Sequence, residues 1–315
     1  MNATLIAETG HRVAVYYQTQ YDPNLAPNSD FGHYVTPLPL IGLITHLLLA
    51  AFHINFADIS VHLNDFVPEH PQFLQMWADI ALMQANGVKV IGMLGGAAPG
   101  TYTCLTPALF DTYYPVLAGY IKRYKLDGMD LDVEQDTPLA DIIHLVKRLK
   151  KDFGPKFIIT FAPVASALIE FGANLSGFDY IQLEKEVGSE ISWYNAQFYS
   201  GFGSFFPDQM YLDIVNAGNG IHPSRLVATT LTDPDEGFGF IDLDEIVDSI
   251  TELASQQNFD FGGIAGWEYW DSLPGGENQP YLWASLMHDT MAQIKANQTE
   301  LLSKVGRSRI WPLDQ

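Results

Sequence analysis

The chain has 315 residues, 47% of them apolar, and carries 37 acidic against 16 basic side chains for a net charge of −21. That apolar content excludes a disordered chain, and that charge argues against nucleic acid and anionic membrane as partners. An uncharged polymer such as a polysaccharide is compatible, and aromatics at 13% supply faces that suit sugar rings besides packing the core.

Cys104 is the only cysteine, so no internal disulfide can form. The first residues, Met1 to Glu8, lack the basic region and long apolar core of a secretory signal. The expectation is a cytoplasmic protein, or a secreted one if a signal has been removed. The longest apolar run, 38–52, contains Pro39, Gly42, Thr45 and His46 and is shorter than a membrane span. It reads as a turn or short helix leading into a buried strand. Asn-x-Ser/Thr triplets at Asn2, Asn174 and Asn297 arise often by chance and decide little. No repeat, charge run or Pro/Gly-rich linker divides the chain, so residues 1–315 are expected to form a single domain.

In chain order, β-rich apolar runs cover 12–18, 46–54, 88–94, 126–133, 156–162, 192–199, 225–231 and 262–268. Helical patterns cover 72–86, 107–124, 138–152, 242–257 and 279–296. Thr106 and Thr137 each precede a proline, which suggests an N-cap at both. The segment 183–191, before the sixth run, looks like an insertion. Eight strands alternating with helices predict a closed parallel sheet, the (β/α)8 TIM barrel, and the length suits it. A doubly wound open sheet is the alternative.

The fourth run stands apart. In Leu126-Asp127-Gly128-Met129-Asp130-Leu131-Asp132-Val133-Glu134 the acids Asp130, Asp132 and Glu134 alternate with Met129, Leu131 and Val133. A strand sends positions i, i+2 and i+4 to one face, so three carboxyls stand in a row, each roughly 6–7 Å from the next. Like charges this close cannot all ionise freely; at least one proton is shared. A solvated acidic edge strand would show the same alternation, but a chain accepts that electrostatic cost most readily at a functional site. A calcium loop starting at Asp130 would need Gly where Gln135 stands, so that reading fails. In a (β/α)8 barrel, functional groups sit at the C-terminal strand ends, where Glu134 falls.

The stretch Asp127 to Glu134 resembles the DGxDxDxE signature of family 18 glycoside hydrolases, the chitinase family, at every fixed position. Weaker resemblances follow in order: Ala51-Phe52 at the end of the second strand, Leu94-Gly95-Gly96 at the third, Phe161-Ala162-Pro163 at the fifth, Gln197-Phe198-Tyr199 at the sixth and Gly266-Trp267 at the eighth. Met93 stands where the family has a serine supporting the deep aspartate, which puts the hydrogen bonding of Asp130 in question. The resemblance implies substrate-assisted hydrolysis, in which the N-acetyl group of the sugar attacks. Glu134, nearest the strand end, suits the acid that protonates the leaving oxygen. Asp132 would hold the acetamide N–H, and Asp130 would share a proton with it. Tyr199 would hydrogen-bond the acetamide oxygen, Gln197 would bind the same sugar, and Trp267 would form its floor. Tyr16, Phe52 and Gly96 would line the same pocket, with Tyr17 replacing Tyr16 if the strand parity is reversed. Asp127 lies on the other parity and reads as structural.

The histidines lack the HExxH spacing, and Asp233-Pro234-Asp235-Glu236-Gly237 fails the calcium pattern and reads as a solvated loop. No phosphate loop or nucleophile elbow is present, so neither metal nor cofactor is expected. Three functions compete: a chitinase acting on chitin or N-acetylglucosamine oligomers, an endo-β-N-acetylglucosaminidase acting on glycoprotein glycans, and an inactive chitin-binding or inhibitor protein on the same barrel. Gln197-Phe198-Tyr199 favours the first over the second, and the presence of Glu134 counts against the third. The expected state is a monomer.

Overall fold

Eight of the apolar runs become parallel strands, each within two residues of its expected limits. They are β1 (Arg12–Tyr17), β2 (His46–Asn55), β3 (Lys89–Gly95), β4 (Gly128–Asp132), β5 (Ile158–Phe161), β6 (Trp193–Gln197), β7 (Leu226–Leu231) and β8 (Gly263–Trp267). Each pairs with the next, and β1 pairs with both β2 and β8, which closes the (β/α)8 barrel. This computed structural model describes residues 11–308 apart from 173 and 257–259, with side chains placed as far as 297. The Asn2 triplet and residue 257, the expected end of one helix, lie outside the described residues.

Strand parity sorts the side chains into two layers. In β1, Val13, Val15 and Tyr17 join the large core between sheet and helices, while Ala14 and Tyr16 point into the barrel. The barrel interior is filled by small and medium side chains such as Ala50, Ala51, Ile91, Met93 and Val227, as a packed TIM-barrel centre requires. Gly128 permits the close approach of β4 to β5: a Cβ there would lie 2.4 Å from the Ile158 carbonyl oxygen.

Among the described residues seven α-helices cover the sheet: α1 (Leu74–Ala85), α2 (Phe110–Tyr124), α3 (Leu139–Phe153), α4 (Tyr180–Val187), α5 (Gln209–Asn216), α6 (Leu243–Ser255) and α7 (Tyr281–Ser308). In α3 the buried residues Ile142, Leu145, Val146 and Leu149 follow the i, i+3, i+4, i+7 spacing. Each stabilises the helix on the barrel by about 1.5–3 kcal/mol. No α-helix joins β1 to β2. A short antiparallel pair, Tyr21–Asp22 with His33–Tyr34, and a 3-10 turn, Leu38–Leu40, take its place. That turn leads into β2 as the apolar run 38–52 predicts. Among the described residues no helix is long and apolar enough to cross a membrane.

Three local expectations need correction. Segment 183–191 is no insertion: Tyr180, Leu183 and Val187 pack inward from α4, which is the barrel's own crossover between β5 and β6. Thr106 does not cap α2, because its hydroxyl donates to the Thr103 carbonyl and the helix begins at Phe110. Thr137 does not cap α3, because its hydroxyl donates to the Gln135 carbonyl. A hydroxyl near a helix start has several backbone acceptors in reach, and local turns took both. Side-chain caps form elsewhere: Asp179 accepts from the Ile181 amide at α4, and Asp242 at α6 shares a reciprocal capping box with Glu245.

Candidate active site

The acid row runs up the inner face of β4 and out of its end. Asp130 is fully buried and accepts three hydrogen bonds: from Tyr16 Oη at 2.9 Å, Thr160 Oγ1 at 2.5 Å and Asn195 Nδ2 at 3.1 Å. Asp132, 5% exposed, comes next. Glu134 follows beyond the last strand residue and is partly exposed. The amide of Gln197 spans the two upper acids, with Nε2 at 3.2 Å from Asp132 Oδ1 and 3.2 Å from Glu134 Oε1. The same nitrogen donates to the Ala162 carbonyl at 2.9 Å.

Electrostatics follow from this stacking. Burial pushes the Asp130 carboxyl above its ordinary range, and the three donors pull it part of the way back. Asp132 goes well above its ordinary range, first through burial, then through the charges of Glu134 and Asp130. Both shifts favour a proton in the interior of the row, while Glu134 at its end meets solvent. Tyr199 stands just past β6, and burial with the charges of Asp132, Glu134 and Asp130 raises its hydroxyl far above the usual range. It keeps its proton at ordinary pH and so remains available as a hydrogen-bond donor.

Asp132, Glu134, Gln197, Tyr199, Gly96 and Trp267 line one cavity of about 460 Å³ at the C-terminal mouth of the barrel. The Trp267 ring is tilted by 57° against Tyr16, with ring centroids 5.3 Å apart. A second basin of about 760 Å³ adjoins it across Gln18, His53 and Ala98, and carries mostly polar side chains, Asn64, Asp65 and Gln72 among them. Among the described residues no group of three His, Cys, Asp or Glu side chains is placed to hold a metal ion.

The sequence-predicted residues fare differently. Tyr16 points inward, but it lies beneath the cavity as a donor to Asp130. Tyr17 faces outward and donates to the Val35 carbonyl, so the parity chosen for β1 holds. Phe52 does not reach the cavity and packs in the outer core. The cause is a register shift in β2 between Leu49 and Phe52: Ala50 and Ala51 both turn inward, and the alternation is reversed beyond them. Ala51 lines the cavity instead. Asp127 takes Lys89 Nζ at 2.9 Å and the Val90 amide at 3.0 Å on the outer side, as a structural residue would.

Two supporting residues escaped the sequence reading. Thr160 is level with Asp130 across the β4–β5 pairing, and Asn195 lies two residues before Gln197 on the same face. They supply the hydrogen bonds that the serine-to-Met93 replacement put in question. A lone polar residue inside Ile158-Ile159-Thr160-Phe161 was the available signal. Glu236, from the loop read as solvated, also stands in the cavity wall.

No family model matches the chain. Among solved structures, a fungal endo-β-N-acetylglucosaminidase from glycosyl hydrolase family 18 is 44% identical, with a TM-score of 0.82 over 89% of this chain and 97% of that one. The chitinase ChiC of Aspergillus fumigatus is 45% identical, with a TM-score of 0.78 over 89% of this chain and 99% of that one. Among curated proteins, Chitinase 2 of Rhizopus oligosporus is 27% identical over 229 residues, or 67% of this chain. The chain spans 39% of that relative's length and 32% of the length of Chitinase Chi52 of Paenibacillus xylanexedens.

Proposed function

Because the chain belongs to family 18 of the glycoside hydrolases, we propose that it hydrolyses the β-1,4 bond between N-acetylglucosamine units, with chitin as the polymer. It does so as a single-domain monomer. The observation that carries this reading is the Gln197 amide bridging Asp132 and Glu134 at the floor of one open cavity.

The chemistry follows from the order of the row. Glu134 gives its proton to the glycosidic oxygen, and the bond from that oxygen to the anomeric carbon breaks. The acetamide oxygen of the same sugar closes onto the anomeric carbon. Asp132, released from its proton towards Asp130, accepts the acetamide N–H and offsets the positive charge that develops. Tyr199 donates to the acetamide oxygen and aims it. Water then enters on the face the leaving group left, gives a proton to Glu134, and opens the ring. Trp267 supports the reacting sugar by stacking, and Gly96 lines the same cavity with a φ of +92°, a backbone that favours glycine, where a Cβ would come within 3.0 Å of Met93 Cε.

A second reading keeps the chemistry and changes the substrate to a glycoprotein glycan. It is favoured by the 44% identical endo-β-N-acetylglucosaminidase and by the wide polar basin beside the cavity. The deciding experiment offers N-acetylchitohexaose and a high-mannose glycopeptide to the same preparation. Cleavage of the hexaose with the β-anomer appearing first in proton NMR is the expected result. An α-anomer first would overturn the mechanism, cleavage of the glycopeptide alone would establish the second reading, and turnover of neither would leave a binding protein.

A further inference from the structure

Asp233-Pro234-Asp235-Glu236-Gly237 has the composition of a solvated loop, yet the chain does not leave it in solvent. The 3-10 turn Pro234–Glu236 folds Glu236 against the cavity that holds Asp132, Glu134 and Tyr199. Trp270 Nε1 donates to Glu236 Oε1 at 3.1 Å. Facing Glu236 is Asp271, nine-tenths buried, whose Oδ1 has no hydrogen-bond partner. A buried carboxyl oxygen without a partner is rare enough to need a physical reason.

The surroundings supply one. The charges acting on Asp271 come from Glu236 and Asp233 on the loop after β7 and from Glu268 after β8, and all are negative. Glu268 is engaged elsewhere: Oε2 takes the amides of Gln18 at 2.9 Å and Thr19 at 2.7 Å, and Oε1 takes the Thr19 hydroxyl at 2.7 Å. Glu236 is thus the acceptor left for a proton on Asp271. Two facing carboxyls coexist when one proton lies between them. Burial and the charge of Glu236 push the Asp271 carboxyl up to about 8, in keeping with that arrangement.

We propose that Glu236 is a sugar-gripping residue of the catalytic cavity, held in place by a proton it shares with Asp271. The inference rests on the glycosidase reading. A carboxylate has about four acceptor sites; Trp270 and Asp271 occupy two and fix its direction, and the rest face the cavity. Sugar hydroxyls are donors of the right kind, and a carboxylate can take two neighbouring hydroxyls of one ring. Above the titration of the pair the proton is gone, the two carboxylates repel, and the grip loosens.

The test measures kcat and KM on N-acetylchitotetraose between pH 5 and 9. Glu236→Ala is expected to lower kcat/KM by roughly 10–100-fold, the size of a hydrogen bond to a charged group, with the loss lying in KM. Asp271→Ala should raise KM as well, while Asp271→Asn, which keeps a donor facing Glu236, should restore it and abolish the rise in KM above pH 8. Independently of turnover, carbon-13 NMR should find Asp271 titrating far above the carboxylate range, and at least about one pH unit lower in Glu236→Gln. An unchanged KM in Glu236→Ala, or an Asp271 that titrates as an ordinary carboxyl, overturns the proposal. If the wild-type protein spares the tetraose and cleaves a high-mannose glycopeptide, the chitin reading alone has failed, and the same variants are compared on the glycopeptide. If it cleaves neither, the Asp271 titration in wild type and Glu236→Gln still decides whether the pair exists.

Discussion

At the N-terminal end of the barrel, the Arg12 guanidinium lies 4.4 Å from the centre of the Trp193 ring and donates to the carbonyls of Ser224 and Gly262. His46 packs edge-on against the same ring. Beside them, Arg225 pairs with Glu184 and donates to the carbonyls of Gly188 and Ile191. At the other end, Asp130, Asp132 and Glu134 climb towards an open cavity, with Thr160, Asn195 and Gln197 as their donors. Titrations are displaced at both ends: burial brings His46 down to about 3 and Arg12 to about 10, and pushes Asp132 upward. A displaced titration therefore does not by itself mark an active site. Arg12 and Arg225 donate to backbone carbonyls, Arg225 also pairs with Glu184, and His46 meets the Thr45 hydroxyl; these groups line neither of the two cavities and lock the strand ends together. The upper acids are held by side chains and open onto space for a ligand, which is the combination that chemistry needs.

Substitutions can separate the two ends. The largest expected effect is at Glu134: Glu134→Gln keeps the shape, removes the proton, and should lower turnover roughly 10²–10⁴-fold with an unchanged unfolding midpoint. Near-normal turnover in the folded variant would dismiss it as the acid. Next comes Asp132→Asn, expected to lose roughly 10²-fold because it removes the acetamide's partner. Asp130→Asn should lose less, since its carboxyl is fully buried, is taken up by Tyr16, Thr160 and Asn195, and does not line the cavity. The reverse order, measured on one oligomer across pH, would show that the roles along the strand are misassigned.

At the lower end the pattern inverts. Arg225→Ala leaves Glu184 buried without its cation and should cost about 3 kcal/mol in urea unfolding, with turnover at 25 °C unchanged. A loss of turnover without a loss of stability would contradict the division between the ends.

The smallest effect is the response of stability to pH, and it differs in sign between the ends. At the upper end Asp130, Asp132, Glu268 and Asp271 titrate higher in the folded chain than in the unfolded one, with Glu268 near 7 and Asp271 near 8. Their contribution is complete below their ordinary values near 4 and is lost as pH rises through the folded ones. His46 titrates lower when folded, so its contribution is lost only as pH falls below about 6.5. Between pH 6.5 and 8.5 the acids act alone, and Tm should drop by about 2–4 °C. Glu268→Gln and Asp271→Asn should flatten that slope. A Tm that rises over the same interval would show the sign to be wrong.

Much of this architecture is local and was legible in the chain. The alternation from Met129 to Glu134 requires only that the segment be extended, so the row of acids and the inner face of β4 could be read without a structure. The eight apolar runs likewise show themselves by composition, because strands buried on both faces need little else. The tertiary structure decided what depends on partners distant in sequence. Phe52 turned outward because β2 changes register against β3, and a bulge is set by barrel closure rather than by local periodicity. Segment 183–191 proved to be a crossover helix once the barrel needed a cover between β5 and β6. Thr106 and Thr137 lost their capping roles to nearby carbonyls, a competition of nearly equal hydrogen bonds that residue type cannot resolve. Thr160 and Asn195 became partners of Asp130 only when β5 and β6 were laid beside β4 in register. Glu236 entered the cavity because a turn after β7 meets Trp270 and Asp271 after β8, and that meeting exists only in the closed barrel.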